Sequence, residues 1–483
     1  NSKKMEEKDV QHAMWWAQQT GQFGQSHISE FHELVRMLQA RAVSTKAILG
    51  GQKLDEGAFG SIETAYYHGS KVAIKYIKAS GAAQSGLPQT MHMVKLELTI
   101  VQTLRHPNIV DFLGTVVCFP ELGQNPADWS IGTMFEFCGG GQLNKILHKD
   151  KKQFETPQKF SMMIDLANGL SYLHAQKVIH RDLGSRNLLL SNKRLKICDF
   201  GCARKMASES ISTSTISGSP PWMAPEQILG KNLTLKADVF SYGTILWEIA
   251  TGLSPHSDLK DGSMDGFKAA IARGLEPKEV SHTHIPNCSP KTLLDFNRLL
   301  ALLAQQMENL RPTAEQARRI MCHIGKGVKC SNLNMPIEGD CEALMQELED
   351  RVELGNKMHD FYAKYNPAKL RDLNKVLETF VGNEDKLNEQ MRVRYKADLN
   401  GEYPDPEPEQ ESESDEDDYQ MGKGGELDMS CSPNASASKE NVPLPPNAAG
   451  MSHFPQKHSM GSGAPPQSAH AQDQLRHSSL LSP

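Results

Sequence analysis

Two acids and an amide stand at short, fixed intervals in the middle of the chain. Asp182 and Asn187 lie in His-Arg-Asp-Leu-Gly-Ser-Arg-Asn at 180–187, and Asp199 begins Asp-Phe-Gly twelve residues after Asn187. Phosphoryl transfer to a hydroxyl uses one carboxylate to accept the hydroxyl proton, while an amide and a second carboxylate hold magnesium ions on the triphosphate. The spacing therefore predicts that Asp182 is the base and that Asn187 and Asp199 bind Mg²⁺.

Three upstream elements could bring a nucleotide to these residues. The small-residue string at 54–62 predicts a tight turn between two strands, and Val-Ala-Ile-Lys at 72–75 predicts a strand that carries a phosphate-contacting Lys75. Glu97 lies in a helical apolar pattern that we expect to end at His106, because a proline follows. A buried ion pair between Lys75 and Glu97 would fix the lysine on the phosphates.

Further strings follow in order: Ala-Pro-Glu at 224–226, Asp-Val-Phe-Ser-Tyr-Gly at 238–243 and Arg-Pro at 311–312. Chance does not account for the whole ordered set. Over 48–324 the chain resembles the eukaryotic protein kinase family. Within it, the strings at 65–75, 196–201 and 222–226 are similar to the tyrosine-kinase-like group, especially mixed-lineage kinases that act as mitogen-activated protein kinase kinase kinases.

The resemblance implies a bilobal α+β fold, with a small lobe of mainly antiparallel strands and one key helix, and a mainly helical large lobe. It implies an ATP- and Mg²⁺-dependent enzyme that phosphorylates Ser/Thr in proteins, including downstream kinases. Asp182, Lys75 and Glu97 would be its catalytic residues. The ATP-binding positions would be Leu54, Gly57, Gly60, Ile62, Ala73, Lys75, Glu136, Cys138 and Leu189.

Four positions around the expected active site depart from the family pattern. Asp55 stands where the first loop glycine is usual, and its charge is expected to weaken ATP binding. Gly184 and Ser219 replace the lysine and threonine usual in Ser/Thr kinases, and Arg186 resembles the arginine of tyrosine kinases. Two alternatives therefore stay open: a tyrosine or dual-specificity kinase, and a pseudokinase that serves as a scaffold.

A regulatory site is expected beside the base. In kinases with an arginine at the position of Arg181, a phosphate in the activation segment commonly pairs with that arginine and orders the segment. Here this activation segment, between Asp199 and Glu226, is rich in hydroxyls, and we expect phosphorylation at one or two of Ser212, Thr213, Ser214 and Thr215.

The composition narrows the setting of the protein. A net charge of −6 over 483 residues favours neither nucleic acid nor an anionic membrane as the main partner. Nine scattered cysteines without a CxxC pair fit a reducing compartment, so a cytoplasmic or nuclear location is expected. No apolar run is long enough to cross a bilayer, so no membrane span is expected.

Four segments are predicted along the chain. Residues 1–47 form a partly helical extension, for which a short helix packed on the small lobe is favoured over an independent binding helix. The kinase domain follows at 48–324, and a helical segment at 325–398. This segment is a candidate for partner binding or self-association through 337–398, with a dimerising coiled coil as the competing interpretation. Residues 399–483 form an acidic, Ser/Pro-rich tail that is expected to be disordered.

Overall fold

A computed structural model describes residues 25–57, 60–78, 87–118, 130–211, 218–257, 259, 262–272, 279–328, 330 and 339–402. An antiparallel sheet dominates the small lobe, and helices make up most of the large lobe. The predicted fold class is confirmed. In the described part of the chain, no helix is long and apolar enough to cross a membrane. The predicted boundary between the helical segment and a disordered tail at 399–483 is wrong, because residues 401–402 pair with 397–398 in a β-hairpin. The tail from 403 onward lies outside the described residues.

The small lobe is built on a five-stranded antiparallel sheet. Its order is β1-β2-β3-β5-β4, formed by β1 (Ile48–Gly57), β2 (Gly60–Tyr67), β3 (Ser70–Lys78), β4 (Phe112–Cys118) and β5 (Ser130–Glu136). Val72 and Ile74 are buried on one face of β3. Because side chains alternate along a strand, Ala73 and Lys75 occupy the other face.

Two helices pack together beside this sheet, α1 (Gln25–Ala40) and α2 (Leu87–Val101). Leu34, Val35 and Leu38 bury one face of α1 in the main hydrophobic core. Lys95 of α2 pairs with Glu33 of α1 at 2.5 Å between Nζ and Oε2. The N-terminal helix is thus packed on the small lobe, against the helix that carries Glu97.

Helix α2 ends at Val101, five residues before the predicted end at His106. Beyond Val101 the backbone turns more tightly, since the N–H of Thr103 donates to the Ile100 carbonyl at 3.0 Å. The Thr103 hydroxyl donates to the same carbonyl at 2.8 Å. Leu104 is nevertheless buried, so the apolar pattern in the sequence extends three residues beyond the end of the helix at Val101.

The large lobe consists of helices and short strands around the residues 180–201 that hold Asp182, Asn187 and Asp199. Its helices are α3 (Thr156–Ala175), α4 (Pro225–Ile228), α5 (Lys236–Thr251), α6 (Met264–Ala272), α7 (Pro290–Leu303) and α8 (Ala314–Lys326). Its strands are β6 (Gly141–Gln142), β7 (Val178–Ile179), β8 (Leu188–Ser191), β9 (Arg194–Ile197) and β10 (Arg204–Lys205). The β8–β9 hairpin folds Asn187 back onto Cys198, whose N–H donates to the Asn187 carbonyl at 2.9 Å.

A C-terminal module, residues 339–402, follows the large lobe. It contains α9 (Cys341–Tyr365), a 3₁₀ helix (Pro367–Asp372), α10 (Leu373–Phe380), α11 (Glu384–Tyr395), and a hairpin of β11 (Ala397–Asp398) and β12 (Gly401–Glu402). The start of α9 buries Leu344 and Leu348 in the main core, and its end buries Met358 and Phe361 in a second core. These side chains are covered within the chain, so the coiled-coil interpretation is wrong.

Candidate active site

The ammonium of Lys75 lies between two carboxylates. Its Nζ is 3.0 Å from Glu97 Oε1 and 2.8 Å from Asp199 Oδ1. Burial alone would lower the pKa of Lys75, but the two carboxylates raise it well above its ordinary value. Burial would likewise raise the pKa of Asp199, but Lys75 holds it below the ordinary value. The expected ion pair is present, and Lys75 and Asp199 are both charged at neutral pH.

Both carboxylate oxygens of Asp182 accept hydrogen bonds. Asn187 Nδ2 donates to Asp182 Oδ2 at 3.0 Å and to the Asp182 backbone carbonyl at 2.8 Å. Ser219 Oγ donates to Asp182 Oδ1 at 2.9 Å. These bonds fix the orientation of a half-buried carboxylate, as a positioned base requires.

The backbone before Asp182 is held from beneath by Asp238 of α5. The N–H of His180 donates to Asp238 Oδ2 at 2.8 Å, and that of Arg181 donates to Oδ1 at 2.9 Å. Arg181 has a φ of 67°, which is unfavourable for a residue with a Cβ, so this support offsets the strain. The sequence alone predicts no such role for the string at 238–243. The only signal in the sequence is its place after the catalytic segment, residues 180–187.

Phe200 is a buried residue that packs between the catalytic segment and the small lobe. Its ring meets the imidazole of His180 edge-on, with centroids 5.2 Å apart. Phe200 and Val101 of α2 belong to the same hydrophobic core. Phe200 therefore joins His180 to the core that Val101 of the small lobe also enters.

The two predicted metal ligands suit a hard cation. Both N–H groups of the Asn187 amide point to Asp182, which leaves the amide oxygen as its ligand atom. Asp199 Oδ1 is shared by Lys75 and the N–H of Gly201, at 2.8 and 3.3 Å. Among the described residues no group of three or more His, Cys, Asp or Glu could hold a metal alone. Mg²⁺ fits such a site, because it commonly takes one or two protein oxygens together with phosphates and water.

The predicted adenine-binding residues lie on both lobes. Leu54 and Ile62 on β1 and β2 are exposed by 51% and 39%, unusually for large apolar side chains inside a sheet. Ala73 and Leu189, on β3 and β8, are half-buried. Their apolar surface suits an aromatic base, and binding one there stays a prediction.

The two predicted loop glycines end β1 and begin β2. Gly57 pairs with Gly60 in the ladder, and 58–59 lie outside the described residues. A Cβ on Gly60 would stand 1.8 Å from the carbonyl oxygen of Tyr76. Close packing against β3 is therefore sufficient reason for glycine at 60, besides the expected approach to phosphates.

The connection between the lobes holds Glu136 and Cys138. Glu136 Oε1 accepts from Lys196 Nζ at 2.5 Å, and its own N–H donates to the Asp111 carbonyl at 3.0 Å. The Glu136 N–H is thus committed within the protein. Burial, helped by Glu136, raises the pKa of the Cys138 thiol to about 11, so this cysteine stays protonated. Adenine contacts from the other backbone groups stay a prediction.

The guanidinium of Arg181 is buried beside a second cation. One nitrogen, Nη1, reaches the Cys202 carbonyl at 3.4 Å, while Nε has no hydrogen-bond partner among the described residues. Burial and the nearby Arg204 both lower the pKa of Arg181. An anion would relieve both costs. The predicted phosphorylation sites at 212–215 lie outside the described residues, so their modification stays a prediction.

Comparison with known proteins gives a consistent result. The family described as protein tyrosine and serine/threonine kinase matches residues 48–315. The serine/threonine-protein kinase CTR1 of Arabidopsis thaliana is 37% identical over 243 residues, which are 47% of this chain and 27% of that protein. STY46, a serine/threonine-protein kinase of the same plant, is 33% identical over 285 residues, or 59% of this chain and 46% of that protein.

A relative from another organism is also similar. The probable serine/threonine-protein kinase drkB of Dictyostelium discoideum is 32% identical over 282 residues, or 58% of this chain and 37% of that protein. The chain therefore spans less than half the length of each of these three relatives.

Proposed function

The chain belongs, as predicted, to the protein tyrosine and serine/threonine kinase family, and from that premise we propose that it transfers the γ-phosphoryl group of ATP to Ser and Thr hydroxyls of proteins. The observation that carries the proposal is the fixed carboxylate of Asp182, held by Asn187 and Ser219. The relatives described above are named as serine/threonine kinases, which supports the choice of hydroxyl.

The residues divide the reaction between them. Asp182 accepts the proton of the attacking hydroxyl, whose oxygen bonds to the γ-phosphorus while the bond to the β–γ bridging oxygen breaks and ADP leaves. Lys75, oriented by Glu97, neutralises charge on the nucleotide phosphates. Asn187 and Asp199 would hold Mg²⁺, which neutralises charge on the triphosphate when bound.

Two alternatives each have an observation in their favour. Arg186 resembles the arginine of tyrosine kinases, which favours a tyrosine or dual-specificity enzyme. Asp55 in place of a loop glycine and Gly184 in place of the usual lysine favour a pseudokinase. The ion pairs of Lys75 with Glu97 and Asp199 argue against a pseudokinase, because a scaffold does not need these groups to bind or orient ATP.

The setting of the activity follows from the same resemblance. We expect protein substrates that include a downstream kinase, as in the cascades of mixed-lineage kinases. Seven cysteines in the described part of the chain are free thiols, in keeping with a cytoplasmic or nuclear enzyme: Cys138, Cys198, Cys202, Cys288, Cys322, Cys330 and Cys341.

Phosphoamino-acid analysis of a labelled protein substrate tests the proposal. Purified wild-type protein with ATP and Mg²⁺ should yield phosphoserine and phosphothreonine. Asp182→Asn should lower the rate at least about a hundredfold, because it removes the base, with an unchanged melting temperature. Phosphotyrosine alone would support the tyrosine-kinase alternative. An Asp182→Asn variant as active as wild type would contradict the proposed role of the base.

A further inference from the structure

A carboxylate with no part in the reaction above is buried beneath the catalytic segment. Glu248 of α5 is 0% exposed, and it accepts hydrogen bonds from three side chains. Trp222 Nε1 donates to Oε2 at 2.8 Å, and Ser185 Oγ donates to Oε1 at 2.6 Å. The third, His148 Nε2, lies 2.7 Å from Oε1. A buried carboxylate is tolerated only when it is well hydrogen-bonded, so all three donors matter.

The three donors belong to different parts of the large lobe. Ser185 is three residues after the base, Asp182, in the catalytic segment. Trp222 ends the short helix Pro220–Trp222 at the close of the activation segment. His148 lies in the helical turn Lys145–Lys149 that follows the connection between the lobes. Glu248 therefore connects three separate segments of the large lobe to helix α5.

The indole of Trp222 packs directly against Gly184, the position at which Ser/Thr kinases usually have a lysine. A Cβ on Gly184 would lie 3.0 Å from Trp222 Cδ2 and 3.2 Å from Cε3, tighter than most contacts of this kind. Above the same ring, the guanidinium carbon of Arg186 is 5.6 Å from the ring centroid. A guanidinium over an indole face is held by cation–π attraction.

A chain of contacts leads from this ring to the base. The guanidinium of Arg186 donates a hydrogen bond to Ser219 Oγ, which in turn donates to Asp182 Oδ1 at 2.9 Å. Arg186 is exposed to solvent. The order of contacts is thus Glu248, Trp222, Arg186, Ser219, Asp182.

Resting on the proposed kinase activity, we propose that Glu248 is a positioning residue that fixes the Trp222 indole as a platform for Arg186. The platform, in place of the lysine that Gly184 replaces, sets the orientation of the Ser219–Asp182 pair toward the substrate hydroxyl. The nucleotide site contains neither Glu248 nor Trp222. Loss of the platform should therefore reduce use of the protein substrate and leave ATP binding unchanged.

The test removes the indole N–H from one of two tryptophans. Trp222→Phe keeps an aromatic ring but deletes the donor to Glu248. Trp247→Phe makes the same change next to Glu248 on α5, where Nε1 is buried without a partner among the described residues. We expect Trp222→Phe to lower kcat/KM for a peptide substrate about tenfold, as one lost hydrogen bond to a charged group does, with the KM for ATP unchanged. Trp247→Phe should match wild type in both.

A second pair of variants tests the carboxylate itself. Glu248→Gln retains an oxygen that accepts from Trp222 and an amide that donates to Ser185, so it should keep most of the activity. Glu248→Met removes both functions and should lower peptide kcat/KM at least as much as Trp222→Phe. Equal kcat/KM for Trp222→Phe and Trp247→Phe would overturn the inference, as would a parallel loss of ATP binding in Trp222→Phe. Wild-type protein that binds ATP but phosphorylates nothing would instead contradict the proposed function.

Discussion

The structure changes the expected effect of Asp55 on nucleotide binding more than that of any other single residue discussed above. In the sequence it is a negative charge at the loop that should contact phosphates. In the fold its Oδ2 lies 3.7 Å from Nζ of Lys145 in the large lobe. Both side chains are exposed, by 62% and 56%, so their pairing contributes no more than about 1 kcal/mol. The charge of Asp55 is offset by a cation of the large lobe, which spacing along the sequence could not reveal.

Opposite effects on ATP affinity are expected from the two halves of this pair. Asp55→Asn should tighten ATP binding about two- to fivefold, because it removes a repulsive charge and leaves Lys145 available to the phosphates. Lys145→Gln should weaken binding by a similar factor. Both effects should shrink as salt is raised to 0.5 M. Calorimetric titration with ATP measures the affinities of the wild-type protein and of both variants at low and high salt. Weaker binding by Asp55→Asn would instead show that the ion pair holds the two lobes in the binding arrangement.

The activation segment is the element through which regulation is expected. Phosphatase treatment should lower activity, because a phosphate beside Arg181 and the Arg204 cation would order the segment. Nε of Arg181, which no described residue contacts by a hydrogen bond, could donate to that phosphate. Arg181→Ala should abolish the difference between treated and untreated enzyme. Mass spectrometry should find phosphate within 212–215 in the active form. A fully active protein with no phosphate in this segment would contradict the prediction.

Helix α1 is expected to brace the helix that carries Glu97. Leu34→Ala should cost about 2–5 kcal/mol of packing between α1 and α2, and a looser α2 should weaken the Lys75–Glu97 pair. We expect kcat to fall several-fold at a temperature where the variant remains folded by circular dichroism. Arg36→Ala is the matched control, since Arg36 is an exposed residue on the same helix. Equal kcat for the two variants would show that α1 only adds stability.

The sequence predicted helices and strands more reliably than the contacts that they make with distant segments. Val72, Ile74 and the small-residue turn sufficed to place the strand of Lys75, since period-two alternation depends on neighbours along the chain. The apolar pattern that runs to Leu104 predicted too long a helix α2, because after Val101 a turn, not a helix, buries Leu104. The links of Lys145 to Asp55 and of Glu248 to Trp222 are contacts between distant segments, for which spacing carries no signal.

Across the whole described chain, α9 joins the C-terminal module to the large lobe. Arg298 of α7 makes a bidentate pair with Glu349, with both N–O distances 2.8 Å, and reaches Glu342 at 2.6 Å. A partly buried bidentate pair fixes geometry better than isolated surface charges do. Since α9 also contributes to both hydrophobic cores, we expect the module and the large lobe to unfold together. Self-association through 337–398 would then have to use surface that these contacts leave exposed.

Gly355 provides the sharpest test of that coupling, because it lies where α9 crosses the large lobe. A Cβ there would stand 2.5 Å from Cδ2 of Leu310, which is fully buried in the module core. Gly355→Val should destabilise the protein by about 1–3 kcal/mol through overpacking, although helix propensity alone favours valine over glycine. Asn356→Val places the same side chain at the next, exposed position and should be nearly neutral.

Hydrogen exchange followed by mass spectrometry then distinguishes a coupled from an independent module. In Gly355→Val, amides of α10 and α11 and amides of α7 and α8 should lose protection together, since both sets depend on the same crossing. Loss confined to α10 and α11 would show that the module opens alone and that the large lobe is stable without it. In that case the salt bridges of Arg298 would be incidental surface contacts, and α9 could release from the kinase lobe to meet a partner.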